Sequence, residues 1–219
     1  MAASSTKGVS VCMTKTAAVG KTLTVTAVSK AKPAVVTAAA HGLVAGDIVV
    51  FPASATGIAE VDGKSFVVGA PIDATTFTLL GADTTGATGT FAAGANKPTA
   101  YATADMECLC WSSLGFNPES PSTISVATFC DPSAQIASST TGAGTVDFGG
   151  YVDITSPDYI AIVAAEADGK VHEFRITLPN NGYILFKGTV SSLNIDVPLE
   201  GAVAYSGQIT LTSKPRHIF

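Results

Sequence analysis

Hydrophobic and polar residues alternate most regularly in residues 202–213. The apolar members all fall at odd positions: Val203, Tyr205, Ile209 and Leu211. Small polar members fall at even positions: Ser206, Gln208 and Thr210. A period of two with one apolar face is typical of an antiparallel strand that is buried on one side. With residues 182–197 and the turn 198–201 before it, this segment predicts a long β-hairpin.

The first strand of this hairpin changes phase part-way along. Ile184, Phe186 and Val190 stand at even positions, whereas Leu193, Ile195 and Val197 stand at odd positions. One additional residue in the strand produces such a shift, so we expect a β-bulge near Ser191 and Ser192. A bulge bends its strand, and bent strands are needed where a sheet closes into a barrel.

One segment carries the signals of a helix. Ser156 is a candidate N-cap, Pro157 suits the first helical turn, and Gly169 suits the C-terminal end. Three apolar side chains share one face at helical spacing, and we expect them to anchor the helix on a sheet. These anchor residues are Tyr159, Ile162 and Val163. The next segment, residues 171–178, alternates like a strand and has Glu173, Arg175 and Thr177 on its polar side.

Residues 21–100 differ from the sequence on either side of them. Their strand-like runs are short and are separated by Gly, Asp and Thr turns, which predicts a small barrel or sandwich. Residues 91–99 have the Gly, Ala and Pro content of a linker. We therefore predict two domains: a discontinuous one from residues 1–20 and 101–219, and an inserted all-β module from residues 21–100.

The turns predicted in this module each have a physical reason. Gly42 and Gly46 can adopt positive φ, and Asp62-Gly63 is a hairpin signal between apolar strands. Asp73 can close a side-chain turn before the following strand. Because His41 has no nearby His or Cys in the sequence, we expect it to stabilise a turn instead of binding a metal.

Composition and charge argue against several functions. The chain has 219 residues, 47% hydrophobic and 13% charged, which favours a β protein that buries surface against copies of itself. The net charge is −5, and residues 21–100 are neutral with five acids and five bases. A nucleic-acid groove needs clustered Lys and Arg, which this sequence lacks. The three histidines fall in different elements, and no nucleophile or phosphate-loop motif occurs, so we expect neither an enzyme nor a cofactor.

The cysteines and the N-terminal segment indicate where the protein folds. No apolar run approaches the ~20 residues of a membrane span, and no secretory signal layout is present, so we expect assembly in a cytosol. Cys108 and Cys110 are spaced Cys-x-Cys, whereas zinc sites usually use Cys-x-x-Cys. We therefore predict buried thiols with no metal and no disulfide.

The order of these elements resembles the tail tube protein, or major tail protein, of long-tailed bacteriophages. The resemblance is carried mainly by DVPLEGAVAYSGQITLTSKP (residues 196–215) and secondly by VATFCDP (residues 126–132). Residues 41–79, with HGL, GD, DG and TTFTL, resemble a small β module that is often found in phage virion proteins. The first similarity covers residues 1–20 and 101–219.

This resemblance implies a β-sandwich or barrel flanked by one helix. In that family, six copies form a ring, and stacked rings make a tube around the tape measure protein that later carries DNA to the host. It implies further partners in the tail terminator and the distal tail or baseplate proteins, and a place in the virion after assembly in the host cytoplasm. DNA would pass without specific binding, and no membrane would be bound. Residues 1–7 and 133–147, the latter expected as a loop, are candidates for ring-to-ring contacts.

Within this interpretation, the polar strand faces are candidates for an aqueous lumen or for a seam between subunits. The candidate residues are Glu173, Arg175, Thr177, Ser206, Gln208 and Thr210. Two other interpretations stay open. The chain could be a tail fibre, decoration or host-adhesion protein, or the tube of a contractile injection machine. An external module of residues 21–100 would obstruct a sheath, which favours a non-contractile tail.

Overall fold

The computed structural model of the chain describes residues 8–53, 57–70, 73–93, 97–118, 123–128, 131–138 and 143–219. The described chain is mainly β with one α-helix, which confirms the predicted fold class. It divides into two compact units. Unit 1 contains Met1–Leu109, Glu173–Phe186 and Pro215–Phe219, and unit 2 contains Cys110–His172 and Lys187–Lys214.

The elements are as follows, in chain order: β1 (Ser10–Thr14), β2 (Lys21–Thr22), β3 (Ala27–Val28), β4 (Ala34–Thr37), β5 (Ile48–Val50), β6 (Ser65–Gly69), β7 (Thr76–Leu79), β8 (Thr99–Tyr101), β9 (Met106–Leu109), β10 (Ser113–Asn117), β11 (Thr123–Thr128), β12 (Asp131–Ser138), β13 (Thr145–Tyr151), α1 (Pro157–Asp168), β14 (His172–Thr177), β15 (Tyr183–Asp196), β16 (Ala204–Leu211) and β17 (Arg216–Ile218).

Unit 1 contains a seven-stranded sheet made entirely within residues 21–101. Its strand order is β2-β8-β5-β6-β7-β4-β3, and all neighbouring strands run antiparallel. Phe51, Phe66 and Phe77 are fully buried in its core. The unit also includes β1 and β9, most of β14, and the start of β15, on which β17 pairs. Short strands in this stretch agree with the predicted small β module, whose boundaries at 21 and 100 stay a prediction.

The turns of this module are closed by the side chains that the sequence indicated. Gly42 and Gly46 have φ of +64° and +96°. Asp73 Oδ1 accepts the N–H of Thr75 at 2.7 Å and that of Thr76 at 2.6 Å. His41 is buried, and its Nδ1 accepts the Leu43 N–H at 3.0 Å. Its Nε2 therefore carries the proton and donates to the Asp73 carbonyl oxygen at 2.6 Å, which confirms a structural imidazole.

One expectation in this part of the chain was confirmed and one was wrong. The strands on either side of Asp62-Gly63, β5 and β6, pair antiparallel as the hairpin signal predicted, and Gly63 has φ of +69°, although the connection between the strands runs from residue 51 to residue 64. Cys12 and Cys108 are not thiols but form a disulfide, because β1 and β9 are antiparallel neighbours with these two residues directly opposed. Cys110 is a free, exposed cysteine.

Unit 2 contains a sheet with the order β10-β13-β16 followed by the second part of β15. The register between β15 and β16 shifts between Val190 and Ser192, which confirms the predicted bulge. Helix α1 has Ser156 as N-cap, Pro157 at its start, and Gly169 after its end with φ of +60°, as its sequence signals predicted. These signals depend only on residues close together in the sequence.

A second, two-stranded sheet lies between β10 and β13 in the sequence. Its strands β11 and β12 pair antiparallel, with a register shift between Val126 and Thr128. The predicted loop over residues 133–147 was wrong at both ends. Residues up to Ser138 belong to β12, and residues from Thr145 belong to β13. Strand β12 pairs with β11, and β13 pairs with β16. These Ser-, Thr- and Gly-rich segments are therefore strands, although their composition alone indicates a loop.

Candidate assembly surface

One face of the unit 2 sheet is small, polar and almost uncharged. Strand pairing aligns its residues in three rows across β10, β13, β16 and β15. The rows are Asn117, Thr145, Thr210 and Thr189; Gly115, Asp147, Gln208 and Ser192; and Ser113, Gly149, Ser206 and Asn194. We call these twelve residues the polar face. It includes the predicted candidates Ser206, Gln208 and Thr210, of which Ser206 and Thr210 are exposed and Gln208 is half-buried.

Asp147 is the single charged residue in these rows. Its Oδ2 accepts a hydrogen bond from Asn117 Nδ2 at 2.5 Å, and its Oδ1 accepts one from Gln208 Nε2 at 2.9 Å. The carboxylate thus links three adjacent strands across the middle of the face. Hydroxyl and amide groups in such rows bind water well, but they provide no acid–base pair and no cationic cluster for chemistry.

The opposite face of this sheet is apolar and carries α1. Phe148 stacks on Trp111 with ring centroids 4.5 Å apart, and Tyr159 of the helix lies 5.4 Å from Tyr205. Burial raises the pKa of Tyr205 to about 12. The two faces therefore differ as an amphipathic sheet requires: a packed aromatic layer on one side and hydrated groups on the other.

The predicted anchor of α1 needs one correction. Tyr159 and Ile162 are buried as expected, but Val163 is 38% exposed. The third buried apolar residue of the helix is Ala165, at a spacing of three from Ile162. Residues three positions apart share a helix face, and α1 has apolar residues on more than one face. The sequence pattern therefore did not show that the third buried residue is Ala165 and not Val163.

The edges of the unit 2 sheet do not include the second strand of the C-terminal hairpin. Strand β16 is interior, because it pairs with β13 on one side and β15 on the other. Within unit 2, the outermost strands are β10 and the second part of β15. Strand β14 lies beside the first part of β15. In the turn between them the Leu178 N–H donates to the Gly182 carbonyl oxygen, and β14 begins only at His172, so its pairing with β15 extends no further than Gly188. From residue 189 to 196, β15 has β16 on one side and no strand of the described chain on the other.

Unit 2 also exposes an unusual number of large apolar side chains. Those more than half exposed include Leu199, Ile154 and Val197, at 106%, 76% and 71%. Among the residues of unit 2 whose burial is described, the exposed large apolar side chains are Tyr151, Ile154, Ile160, Val163, Val171, Ile195, Val197 and Leu199. Single exposed apolar residues are normal on a protein surface, but a concentration of them marks a contact surface.

The remaining predicted face residues belong to unit 1, and two of them are buried. Glu173 Oε2 accepts a hydrogen bond from Ser65 Oγ at 2.8 Å. Arg175 donates from Nη1 to the Gly46 carbonyl oxygen, and burial lowers the pKa of its guanidinium. Their prediction as lumen or seam residues was therefore wrong, because the β module covers this side of β14. Thr177 is half-buried.

The sequence did not single out Asp147, Asn117 and Thr189 as part of the polar face. For β13 a signal was available, since TVDFGGY alternates with Val146 and Phe148 on one side. Its alignment with β10 and β16 depends on strand order, which alternation does not give. Among the described residues, no three His, Cys, Asp or Glu side chains are grouped to hold a metal ion. In the same part of the chain, no helix combines the length and apolarity of a membrane span.

Comparisons with known proteins give a faint structural similarity. No family model matches the sequence, and no curated protein does. Among solved structures, the chain is similar to a chain in the tail of an empty gene transfer agent particle with C6 symmetry. That match has a TM-score of 0.37 and 14% identity, and it covers 53% of this chain and 89% of the other. A chain of the native gene transfer agent virion matches with a TM-score of 0.34 and 15% identity, over 49% and 82%. Similarity at this level does not assign a function.

Proposed function

We propose that this chain is a structural subunit of a phage-type tail tube, and not an enzyme. The observation that carries the proposal is the unit 2 sheet, which ends on both sides in strands that can accept a further strand. An open sheet edge is a template for pairing with another chain. If β10 of one copy pairs with residues 189–196 of the next, the same contact repeats from copy to copy and can close a ring.

The two faces of the sheet suit such a ring. Joined sheets would form a continuous wall with the polar face on one side and the apolar, helix-covered face on the other. The polar face presents hydroxyls and amides with one carboxylate per copy, so it would line a hydrated passage with little attraction for phosphate. Unit 2 as a whole has nine acidic and three basic residues, a net charge of −6, which also disfavours retention of DNA.

Stacked rings of this kind would make a tube that encloses the tape measure protein during assembly and conducts DNA during ejection. The ends of the tube would contact the tail terminator and the distal tail or baseplate proteins. The protein would then act in the virion after assembly in the host cytoplasm. The β module of unit 1 has its own core and contributes none of the polar-face residues, which suits a decorating role.

Electron microscopy of the purified full-length chain, over a range of concentrations, tests this proposal. We expect closed rings or hollow tubes, and the number of subunits follows from top views. Monomers or trimers at every concentration, together with binding to host cells, would contradict it and support an adhesion protein.

A further inference from the structure

The two open edges of the unit 2 sheet have the same length. At one end, β10 is five residues long, Ser113–Asn117. At the other end, β15 has its register shift between Val190 and Ser192 and ends at Asp196, so the regular stretch after the bulge is residues 192–196. That stretch also has five residues, and we call it the β15 edge segment.

Neither edge carries the features that keep exposed strands apart. Protected edges use Lys, Pro, inward-pointing charges or a bulge within the strand. Strand β10 reads SLGFN, and the β15 edge segment reads SLNID, in which Asp196 at the very end is the single charge. Both edges are therefore suited to pairing with a further strand over five residues.

The two edges also alternate in the same order. In β10, Leu114 and Phe116 lie on the apolar face of the sheet, and the other three residues lie on the side of the polar face. In the β15 edge segment, Leu193 and Ile195 lie on the apolar face, and the other three residues lie on the opposite side. When the two segments are paired over their full length, apolar residues meet apolar residues at each position and both faces of the sheet continue.

The direction of pairing follows from the number of strands. Strand β10 is antiparallel to β13, β13 to β16, and β16 to β15, so β10 and the β15 edge segment run in opposite directions within one copy. Rotation about a ring axis leaves the direction of each strand along that axis unchanged. Strand β10 of the next copy in a ring is therefore antiparallel to the β15 edge segment that it approaches.

We propose that β10 of one copy pairs antiparallel, over its full length, with the β15 edge segment of the next copy. The inference rests on the proposed function and adds the register of the contact. The opposed residues are Ser113 with Asp196, Leu114 with Ile195, Gly115 with Asn194, Phe116 with Leu193, and Asn117 with Ser192. Ile195, which is 55% exposed in one copy, gains Leu114 as a neighbour, and the Ser113 hydroxyl gains the Asp196 carboxylate as an acceptor.

This register also gives the wall the stagger that a closed barrel needs. In one copy, Ser113 and Asn194 stand in the same row of the polar face. In the proposed contact Asn194 faces Gly115 of the next copy, so each row continues two residues further along β10. Barrel strands are tilted, which requires such a stagger, and an even number of residues keeps the two faces aligned. Pairing without a stagger would leave Phe116 and Asn117 opposite the bulge.

Cysteine cross-linking of the assembled full-length chain tests the register. Gly115→Cys is combined with Asn194→Cys, Ser192→Cys or Asp196→Cys, each in the Cys110→Ser chain, which lacks the exposed free thiol. A Cβ at Gly115 meets nothing within 4 Å, so this position accepts a side chain. Within one copy, β13 and β16 separate β10 from β15, so a new disulfide between these positions joins two copies.

The proposed register predicts which pair links fastest. We expect the Gly115→Cys/Asn194→Cys chain to link at least about fivefold faster than the other two, because directly opposed Cβ atoms lie ~5 Å apart and those shifted by two residues ~7–8 Å apart. Non-reducing electrophoresis should show a ladder of linked copies for this chain. A mixture of the two single variants, Gly115→Cys and Asn194→Cys, should give dimers only.

The other two pairs report the alternative registers, and circular dichroism checks that each variant folds. Fastest linking with Ser192→Cys would mean pairing without a stagger, and fastest linking with Asp196→Cys a stagger of four residues. Either result overturns the inference and leaves the tube proposal standing. Rings or tubes of the Cys110→Ser chain with no link in any pair also overturn the inference alone. A chain that never assembles overturns both proposals.

Discussion

The β module of unit 1 and the sheet of unit 2 are both antiparallel, but they differ in how far their apolar residues are buried. In the module, Phe51, Phe66 and Phe77 are sealed in a core, and Asp73 and His41 close its turns. In unit 2, apolar residues such as Leu199 and Ile154 remain exposed, and the sheet ends in open edges. The module therefore buries its own large aromatic side chains, whereas unit 2 leaves apolar side chains and strand edges exposed, and further copies can cover these.

The largest expected effect comes from blocking the β15 edge. Asn194 and Ile195 are exposed on opposite faces of the terminal segment. Replacing both by Lys places two charges where a neighbouring strand must approach, and charged edges prevent pairing. We expect the Asn194→Lys/Ile195→Lys chain to stay monomeric in sedimentation velocity at concentrations where the parent assembles.

The control for this variant adds the same charge to unit 1. Thr16 and Val19 are both exposed there, Val19 at 90%. The Thr16→Lys/Val19→Lys chain should assemble as the parent does. Equal loss of assembly in the two double variants would show that added charge, and not the edge, is responsible.

Core truncations in the two regions should separate folding from assembly. Phe148→Ala removes the ring that stacks on Trp111 in unit 2, and Phe77→Ala removes a fully buried ring in the module. Each should lower the free energy of unfolding by about 3–5 kcal/mol in urea. Only Phe148→Ala should also weaken assembly at temperatures where both variants remain folded. The reverse pattern would place the assembly surface in unit 1.

Two glycines of unit 2 offer a finer comparison. A Cβ on Gly207 would lie 2.4 Å from Phe148 Cζ and 2.6 Å from the Ser192 carbonyl oxygen, next to the bulge. Gly207→Ala should therefore cost about 1–3 kcal/mol through overpacking. A Cβ on Gly115 meets nothing within 4 Å, so Gly115→Ala should stay within about 0.5 kcal/mol of the parent. Similar urea midpoints for both variants would be inconsistent with the close packing at the bulge.

The smallest effect is a pH dependence in the module. Hydrogen bonds from the Thr76 hydroxyl and from Thr75 and Thr76 N–H groups lower the pKa of Asp73 from 3.8 to about 2. A lowered pKa in the folded state means that the ionised carboxylate stabilises the fold above pH 4, and this contribution is lost as the pH falls towards 2. Asp73→Ala should lower the melting temperature at pH 7.

That difference in melting temperature should shrink between pH 4 and 2. Asp83, whose pKa is also lowered to about 2 by Thr85 and Lys32, should give the same pattern in Asp83→Ala. Calorimetry from pH 7 to 2 measures both. A difference that is constant with pH would exclude the carboxylate charge as its cause.

The features that the sequence predicted depend on neighbours in the chain. The bulge near Ser191, the caps of α1 and the turn at Asp73 follow from local phase, capping and turn chemistry. The features it missed depend on distant partners. The Cys12–Cys108 disulfide and the burial of Glu173 and Arg175 require knowledge of which strands are neighbours and which side the module covers.

For the polar face, alternation placed Ser206, Gln208 and Thr210 on one side of their strand but did not indicate the strands beside it. Nor did alternation show that β13 pairs with β16 and makes it an interior strand. Strand order is set by contacts between residues far apart in sequence, and a two-residue period carries no information about it.

A cryo-EM map of the assembled full-length protein gives the sharpest test, because it identifies the strand beside each sheet edge. We expect β10 of one copy to form backbone hydrogen bonds with residues 189–196 of its neighbour, in a closed ring with the polar face on one side of the wall. An assembly in which both of these edges face solvent, and the copies meet through unit 1, would contradict it.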